Sequence, residues 1–178
     1  MKWLLSILSL AMLGCTPASR SSTPKARADQ KDSGRLAASG DPSSPWLVFG
    51  RGSCLGRCPG YRIEVDRSGN VKYHGGVSVK VEGTSTKQLS VDKIQQLKVL
   101  LRRPILKTLK ADCCNCSDRT DDSSAGIRIF EGKSVLNIDH YHGCSKAPKE
   151  LNEIEDAIDI IVGTSEWTGT AAEREALR

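Results

Sequence analysis

The stretch YRIEVDRSGNVKYH, residues 61–74, decides the fold class of this chain. Apolar and charged side chains alternate over residues 61–66, which is the pattern of a strand with one buried face. The turn-forming residues Ser68-Gly69-Asn70 follow, and the alternation resumes over residues 71–73. The stretch therefore predicts a β-hairpin.

The chain on both sides of this hairpin predicts further strands and two helices. Strands are predicted at residues 46–49, in the valine alternation at 77–81, and in a second hairpin formed by 127–130 and 135–140. Helical spacing predicts one helix from Ser90 to Pro104 and one from Pro148 to Gly163. Their predicted buried positions are Ile94, Leu97, Leu101, Leu151, Ile154, Ile158 and Ile161. The order predicts an α+β domain, with a mostly antiparallel sheet built from hairpins and two helices packed on one face.

The first residues of the chain have the features of a targeting segment. A cationic start precedes a ten-residue apolar run, residues 4–13, which is too short to span a membrane and is typical of a signal-peptide core. The run ends at Gly14-Cys15 and resembles the lipobox of bacterial lipoproteins. By that resemblance residues 1–14 are a signal peptide, and Cys15 carries the acyl chains, palmitate among them. With Thr16 after the cysteine, the expected location is the cell envelope, with the protein anchored to the outer membrane. The sequence does not predict whether it faces the periplasm or the cell surface. The alternative is ordinary cleavage after Ala18 and secretion without lipid.

Residues 15–45 predict a lipidated cysteine followed by a disordered tether. They are rich in Ser, Pro, Ala and Gly and lack any periodic apolar pattern. Thirty such residues form a coil of roughly 30 Å end to end. Residues 1–45 carry +3 of the net charge of +5, so only +2 belongs to the remainder. That small excess argues against nucleic acid as a partner.

The segment FGRGSCLGRCPGY, residues 49–61, is the most distinctive motif of the chain. Its pattern G-x-C-x-G-x-C-P-x-Y resembles an uncharacterised family of bacterial secreted domains and lipoproteins, a domain of unknown function. The resemblance covers residues 46–168 and implies a domain with these boundaries, but no reaction. Residues 169–178 are expected to form a flexible tail. The residues that carry the resemblance are Gly52, Cys54, Gly56, Cys58, Pro59, Tyr61, Asp121, His140, Tyr141 and Pro148.

Cys54 and Cys58 lie four residues apart in a glycine-rich loop and allow three interpretations. They form a structural disulfide, they remain unpaired thiols, or they serve a redox or copper site, since thiolates select Cu(I). A C-x-x-x-C-P motif is similar to that of thioredoxin-fold copper chaperones. In those proteins, however, the motif opens a helix, whereas here Pro59 leads into a strand. The disulfide interpretation is therefore favoured.

A second group of possible ligands lies in the later half of the chain. Cys113 and Cys116 have C-x-x-C spacing, and His140, His142 and Cys144 share one face of an extended segment. Together they provide the ligand types of a zinc site. The alternative is that the imidazoles are packed or exposed and the cysteines form disulfides. With Cys15 lipidated, six cysteines remain, an even number that favours disulfides in an oxidising compartment. The expected pairs are 54–58, 113–116 and 114–144.

These observations predict a membrane-anchored envelope lipoprotein whose disulfide-stabilised domain has a binding or structural role. The partner would be an envelope protein or a small ligand, and no cofactor is expected. No catalytic motif is recognised, and no Ser/His/Asp grouping follows from the spacing. The alternative is a periplasmic thiol-redox or copper- or zinc-binding protein. It would use Cys54 and Cys58, or the group Cys113, Cys116, His140, His142 and Cys144.

Overall fold

A computed structural model describes residues 43–109 and 121–176. Six strands form one sheet in the order β4-β3-β2-β1-β5-β6, and all five neighbouring pairs are antiparallel. The predicted α+β class, with a largely antiparallel sheet, is confirmed. The elements are β1 Pro45–Gly52, β2 Tyr61–Asp66, β3 Asn70–Gly75, β4 Gly83–Gln88, α1 Val91–Leu100, α2 Pro104–Thr108, β5 Ser124–Glu131, β6 Ser134–Tyr141, α3 Lys149–Val162, α4 Ser165–Thr168 and α5 Ala171–Ala176.

The β2–β3 hairpin forms as the sequence predicts. Its turn is held by the Asp66 carboxylate, which accepts hydrogen bonds from the backbone N–H groups of Ser68 and Asn70, both at 2.9 Å. Gly69 has φ +88°, and a Cβ atom there would lie 2.4 Å from Cδ1 of Ile94. The turn therefore requires glycine for its backbone conformation and for the close approach of α1.

One face of the sheet carries the hydrophobic core. Register places Phe49 beside Ile63 and Ile127, and every strand except β4 contributes alternate residues to this face. Helices α1 and α3 pack on the same face and contact each other, so the predicted layer of two helices is confirmed. The helix residues fully or nearly buried there are Ile94, Leu97, Leu100, Leu151, Ile154, Ile158 and Val162.

The helix boundaries follow the local signals in the sequence. The Ser90 side chain accepts a hydrogen bond from the backbone N–H of Lys93 and caps α1. Gly163, at φ 74°, ends α3 in the left-handed conformation. Pro104 lies at the start of α2, where its missing N–H has no intrahelical partner to lose. The proline predicted to end one helix therefore also begins the next.

The predicted strand at residues 77–81 is wrong. These residues form a loop, and β4 begins only at Gly83. The backbone N–H of Val81 donates to the carbonyl of Trp167 at 2.8 Å, and that of Lys80 to the carbonyl of Thr168 at 3.3 Å. Because these bonds are made to α4, the valine alternation packs a loop against a helix instead of pairing strands.

Two smaller differences concern the end of the chain. Val162 is fully buried on α3, whereas the predicted core position Ile161 is only partly buried. Where the sequence predicts a tail from residue 169, the structure contains the short helix α5. The guanidinium of Arg174 on this helix donates to the carbonyl of Gly169 at 2.6 Å.

An aromatic column crosses the core. Tyr61 stacks on Tyr73 and Tyr73 on Trp167, with ring centroids 5.9 and 4.7 Å apart, and the ammonium of Lys87 lies 4.6 Å from the Trp167 ring. The Tyr73 hydroxyl is buried and has no hydrogen-bond partner among the described residues. Burial raises the pKa of Tyr73 to about 12. Within the described parts of the chain, no helix combines the length and hydrophobicity needed to cross a bilayer.

Candidate functional site

The core face of the sheet becomes polar at one end. Arg51 follows Leu47 and Phe49 at alternate positions of β1, and register places it between Tyr61 and Ala125. Ala125 in turn pairs with His140 near the end of β6. His142 lies two residues further along the chain. The sheet thus presents a guanidinium and two imidazoles beneath α3.

Glu155 on α3 meets the two imidazoles. It lies on the buried face of the helix, four residues after Leu151 and three before Ile158, so the helix points a carboxylate into the core. Its Oε1 is 2.7 Å from Nδ1 of His140, and its Oε2 is 2.8 Å from Nε2 of His142. The side chains of Glu155 and His140 are 1% and 2% exposed.

The environment of Glu155 determines its ionisation. Burial alone raises the pKa of this carboxyl group, but hydrogen bonds and charge interactions with His140 and His142 outweigh it and hold the pKa below its usual range. Glu155 is therefore a carboxylate that accepts hydrogen bonds from both rings. In a neutral imidazole of His142, donation by Nε2 leaves Nδ1 as the acceptor. In that tautomer Oγ of Ser123, which lies 2.7 Å from Nδ1, donates to it.

Arg51 is held beside Glu155 by two further carboxylates of α3. Its Nε donates to Asp159 and one terminal nitrogen donates to Asp156, both at 2.7 Å. Its other terminal nitrogen lies 3.8 Å from Glu155. Burial acts to lower the pKa of Arg51, yet the attraction of Asp159 raises it overall. Arg51 therefore remains a fixed cation at the polar end of the core.

Asp159 gathers two hydroxyl groups as well as Arg51. The Tyr61 hydroxyl donates to it, and the Thr164 hydroxyl donates to the same oxygen at 2.6 Å. Burial, together with the negative charge of Asp159, raises the pKa of Tyr61 above its usual range, so the phenol remains protonated. Among the motif residues named above, Tyr61 and His140 contribute side chains to this polar network.

A cleft of about 480 Å³ opens beside the polar network. The cysteine loop and α5 form its walls, and the Arg57 guanidinium joins them by donating to the carbonyl of Arg174 at 2.7 Å. Ser123 also lines the cleft, and the hydroxyl of this half-buried residue contacts His142. The lining residues are Arg51, Gly52, Cys54, Gly56, Arg57, Cys58, Pro59, Ser123, Ala171, Arg174 and Glu175.

The cysteines are placed as follows. Cys54 and Cys58 form a disulfide with Cα atoms 5.4 Å apart, as their spacing predicts. Cys144 is buried and disulfide-bonded. Cys113, Cys114 and Cys116, and with them the expected pairs 113–116 and 114–144, lie outside the described residues. Cys15, the signal-peptide prediction and residues 16–42 of the predicted tether lie outside them too, whereas Pro45, the last residue of that tether, is the first residue of β1.

The remaining motif residues frame the cysteine loop and α3. Gly52 ends β1 so close to β5 that a Cβ atom would lie 2.4 Å from the Ser124 hydroxyl. The carbonyl of Asp121 accepts a hydrogen bond from the loop residue Leu55 at 3.2 Å. Pro148 precedes the first turn of α3. Tyr141 ends β6, and its hydroxyl accepts a hydrogen bond from the N–H of Asp122 at 3.3 Å. Gly56 and Pro59 line the cleft.

The side chains of His140, His142 and Glu155 have the chemistry of metal ligands. Nδ1 or Nε2 of each histidine and a carboxylate oxygen of Glu155 all lie within 4.8 Å of one another. Two imidazoles and one carboxylate form a known ligand set for zinc. Over the described ranges, this cluster includes His140 and His142 but none of Cys54, Cys58 and Cys144.

Sequence reasoning finds the histidines but misses their partners. Glu155 is a charged residue within the apolar repeat of α3, and that position is a readable signal. Arg51 likewise continues the buried alternation of β1. Ser123 has no comparable signal, because only the β5–β6 pairing brings it to His142, 19 positions away.

Comparison with known sequences identifies the family of the folded domain. The family described as a domain of unknown function, DUF6438, matches residues 46–162. None of the curated proteins matches the chain. The match begins at Trp46, the second residue of β1, and ends at the last residue of α3, so it includes both core helices and all of the sheet except Pro45. The chain therefore belongs to the DUF6438 family, whose function is unknown.

Proposed function

We propose that this protein is an envelope lipoprotein, anchored to the outer membrane through Cys15, whose disulfide-bonded domain is a binding module. The lipobox-like leader supports the anchor, and the Ser- and Pro-rich residues 16–45 provide a tether. The Cys54–Cys58 disulfide supports an oxidising compartment, because such bonds persist outside the cytosol.

The cleft beside the cysteine loop is the single observation that carries the binding role. Its volume of about 480 Å³ is of the size that holds a small ligand or a protruding side chain of a partner protein. Its rim is held on one side by a disulfide and on the other by hydrogen bonds between Arg57 and α5. A rim fixed in this way loses little conformational entropy when a ligand binds.

Membrane fractionation tests the anchor. Cys15→Ser is expected to move the protein from the membrane fraction to the soluble fraction, because the acyl chains supply the membrane affinity. Thr16→Ser is the matched control and is expected to remain with the membrane and to incorporate labelled palmitate. Unchanged membrane partitioning of Cys15→Ser would contradict lipid anchoring. Soluble wild-type protein would favour simple secretion.

A second candidate function is divalent metal binding by His140, His142 and Glu155. The observation that favours it is the convergence of three ligand atoms of the types zinc prefers. Titration calorimetry with zinc is expected to give one site in the wild-type protein and at least a tenfold weaker one in Glu155→Gln. Equal affinity in both proteins, or no binding, would reject this candidate.

The thiol alternative makes a separate prediction. Intact mass after alkylation without reductant would show added groups if Cys54 and Cys58 worked as free thiols or copper ligands. The disulfide predicts that neither residue is alkylated until a reductant is added. Alkylation of both before reduction would therefore favour the redox or copper interpretation.

A further inference from the structure

A continuous chain of hydrogen bonds runs from the cleft into the core. It begins at Ser123, one of the residues that line the cleft, whose hydroxyl lies 2.7 Å from Nδ1 of His142. From Nε2 of the same ring it passes 2.8 Å to the buried carboxylate of Glu155. A hydroxyl, an imidazole and a carboxylate in this order are the parts of an activated serine nucleophile.

The backbone holds the serine and the histidine in register. The N–H of His142 donates to the Ser123 carbonyl at 3.0 Å, just beyond the paired ends of β5 and β6. The Ser123 N–H donates to the Asp122 carboxylate at 2.8 Å. The nucleophile is therefore fixed on both sides of its Cα atom, and its hydroxyl does not need to reorganise to reach the base.

Glu155 is held as firmly as the serine. His140 donates to its other carboxylate oxygen at 2.7 Å, and the positive charge of Arg51 lies 3.8 Å from Oε2. A carboxylate fixed in this way orients the imidazole of His142 and stabilises the imidazolium that forms when the ring takes a proton. In a standard serine triad the serine contacts Nε2 of the histidine and the carboxylate contacts Nδ1. Here the serine contacts Nδ1 and the carboxylate contacts Nε2, but the proton still passes from the serine to the imidazole.

We infer that Ser123 is a nucleophile, with His142 as its base and Glu155 as a positioning residue, and that the cleft hydrolyses small acyl esters. Small acyl groups are indicated because the cleft, at about 480 Å³, has room for a small ligand. This activity goes beyond the binding role proposed above and does not depend on the lipid anchor.

The reaction needs only the ester and water as reactants. Oγ of Ser123 forms a bond to the ester carbonyl carbon, its proton moves to Nδ1 of His142, and the alcohol leaves with that proton as the C–O bond breaks. Water then attacks the acyl-serine and gives one proton to His142. Breaking of the acyl bond returns that proton to Oγ and releases the acid.

Labelling of the full chain with a fluorophosphonate probe tests the inference. The serine oxygen would bond to phosphorus and displace fluoride, adding the probe to the tryptic peptide 120–128. Because that peptide also contains Ser124, Ser124→Ala is the matched control and is expected to label like wild type. Ser123→Ala is expected to lose labelling and to slow hydrolysis of p-nitrophenyl acetate by about 10²-fold or more.

Two further measurements separate catalysis from structure and from metal binding. Glu155→Gln is expected to lower kcat at least tenfold with KM held, a split that general loosening of the fold would not produce. Ser123→Ala is expected to retain any zinc affinity, because its hydroxyl is not among the three metal-ligand candidates. Wild-type protein that remains unlabelled with its disulfide intact would overturn the inference. Labelling unaffected by Ser123→Ala would overturn it equally.

Discussion

Helices α1 and α3 pack side by side on the same face of the sheet, yet they bury different chemistry. On α1 the buried residues are all apolar: Ile94, Leu97 and Leu100. On α3 a comparable apolar stripe is interrupted by Glu155, which is fully buried, and Asp159, whose side chain is only 20% exposed. The first helix therefore contributes packing alone, whereas the second also places charges in the core.

The strands beneath each helix match this difference in chemistry. Beneath α3 it supplies His140, Arg51 and Tyr61, and each donates to a carboxylate of that helix. A buried carboxylate without such donors would be several kcal/mol unfavourable. Charged groups gathered beside a cleft, with shifted pKa values, are typical of functional sites. The contrast between the helices thus separates the part that stabilises the fold from the part that can perform chemistry.

The largest expected effect comes from removing the buried charge of α3. Glu155→Ala leaves two imidazole N–H groups without an acceptor and one side of Arg51 without its counter-charge. We expect a loss of about 3–5 kcal/mol in the free energy of unfolding, measured by urea denaturation. A loss below about 1 kcal/mol would mean that water or a shifted side chain replaces the carboxylate.

The matching change on α1 tests packing alone. Leu97 is fully buried, and Leu97→Ala is expected to lower the free energy of unfolding by about 2–5 kcal/mol. The control is Val99→Ala on the same helix, at a side chain that is 71% exposed, with an expected change within about 0.5 kcal/mol. Unlike Glu155→Ala, neither α1 variant is expected to change zinc binding or probe labelling. If Leu97→Ala altered either one, the division between the helices would fail.

The two carboxylates that bind Arg51 sharpen the comparison within α3. Asp159→Asn weakens a partly buried acceptor of three donors, and we expect a loss of about 1.5–3 kcal/mol. Asp156 contacts the same guanidinium, but its side chain is 68% exposed. Asp156→Asn is therefore expected to change stability by about 1 kcal/mol or less. Equal losses from both variants in thermal unfolding would show that burial does not set their contributions.

The mildest test lowers the pH and leaves every residue in place. The folded-state pKa of Glu155 lies below its ordinary value of 4.5 because His140 and His142 donate to it despite burial. A depressed pKa contributes stability that is fully present above the ordinary value and is lost as pH falls through the folded-state value. We therefore expect unfolding curves to show acid destabilisation below about pH 4.5 that is smaller in Glu155→Gln. Identical acid profiles would show that Glu155 does not titrate with unfolding.

Much of the fold could be predicted because its elements use local rules. The β2–β3 hairpin has one buried face and a turn that needs Gly69, so periodicity and turn chemistry agree. The valines at 77–81 show where this reasoning fails. Their alternation fits a strand, but the donors of Lys80 and Val81 are satisfied by α4, which follows more than 80 residues later. Sequence periodicity does not record which partner accepts the backbone hydrogen bonds.

The site was less accessible to sequence reasoning than the fold. The pattern placed His140 and His142 on one face and joined them with cysteines, whereas Glu155 is the acidic partner in the structure. That pairing depends on how α3 lies across β6, and no local spacing specifies it. A carboxylate inside an apolar helical repeat was the signal available, since such a residue needs donors from elsewhere in the fold.

The aromatic column also gives the domain an optical reporter of its own packing. Trp167 is buried on α4 and stacked between Tyr73 and the ammonium of Lys87, so its emission depends on the docking of that short helix on the sheet. Excitation absorbed by Tyr73 passes efficiently to the indole across 4.7 Å, and the transfer weakens as release of α4 lengthens that distance. Tyrosine-sensitised fluorescence of Trp167, compared between wild type and Trp46→Phe, would thus follow release of α4 separately from unfolding of the sheet.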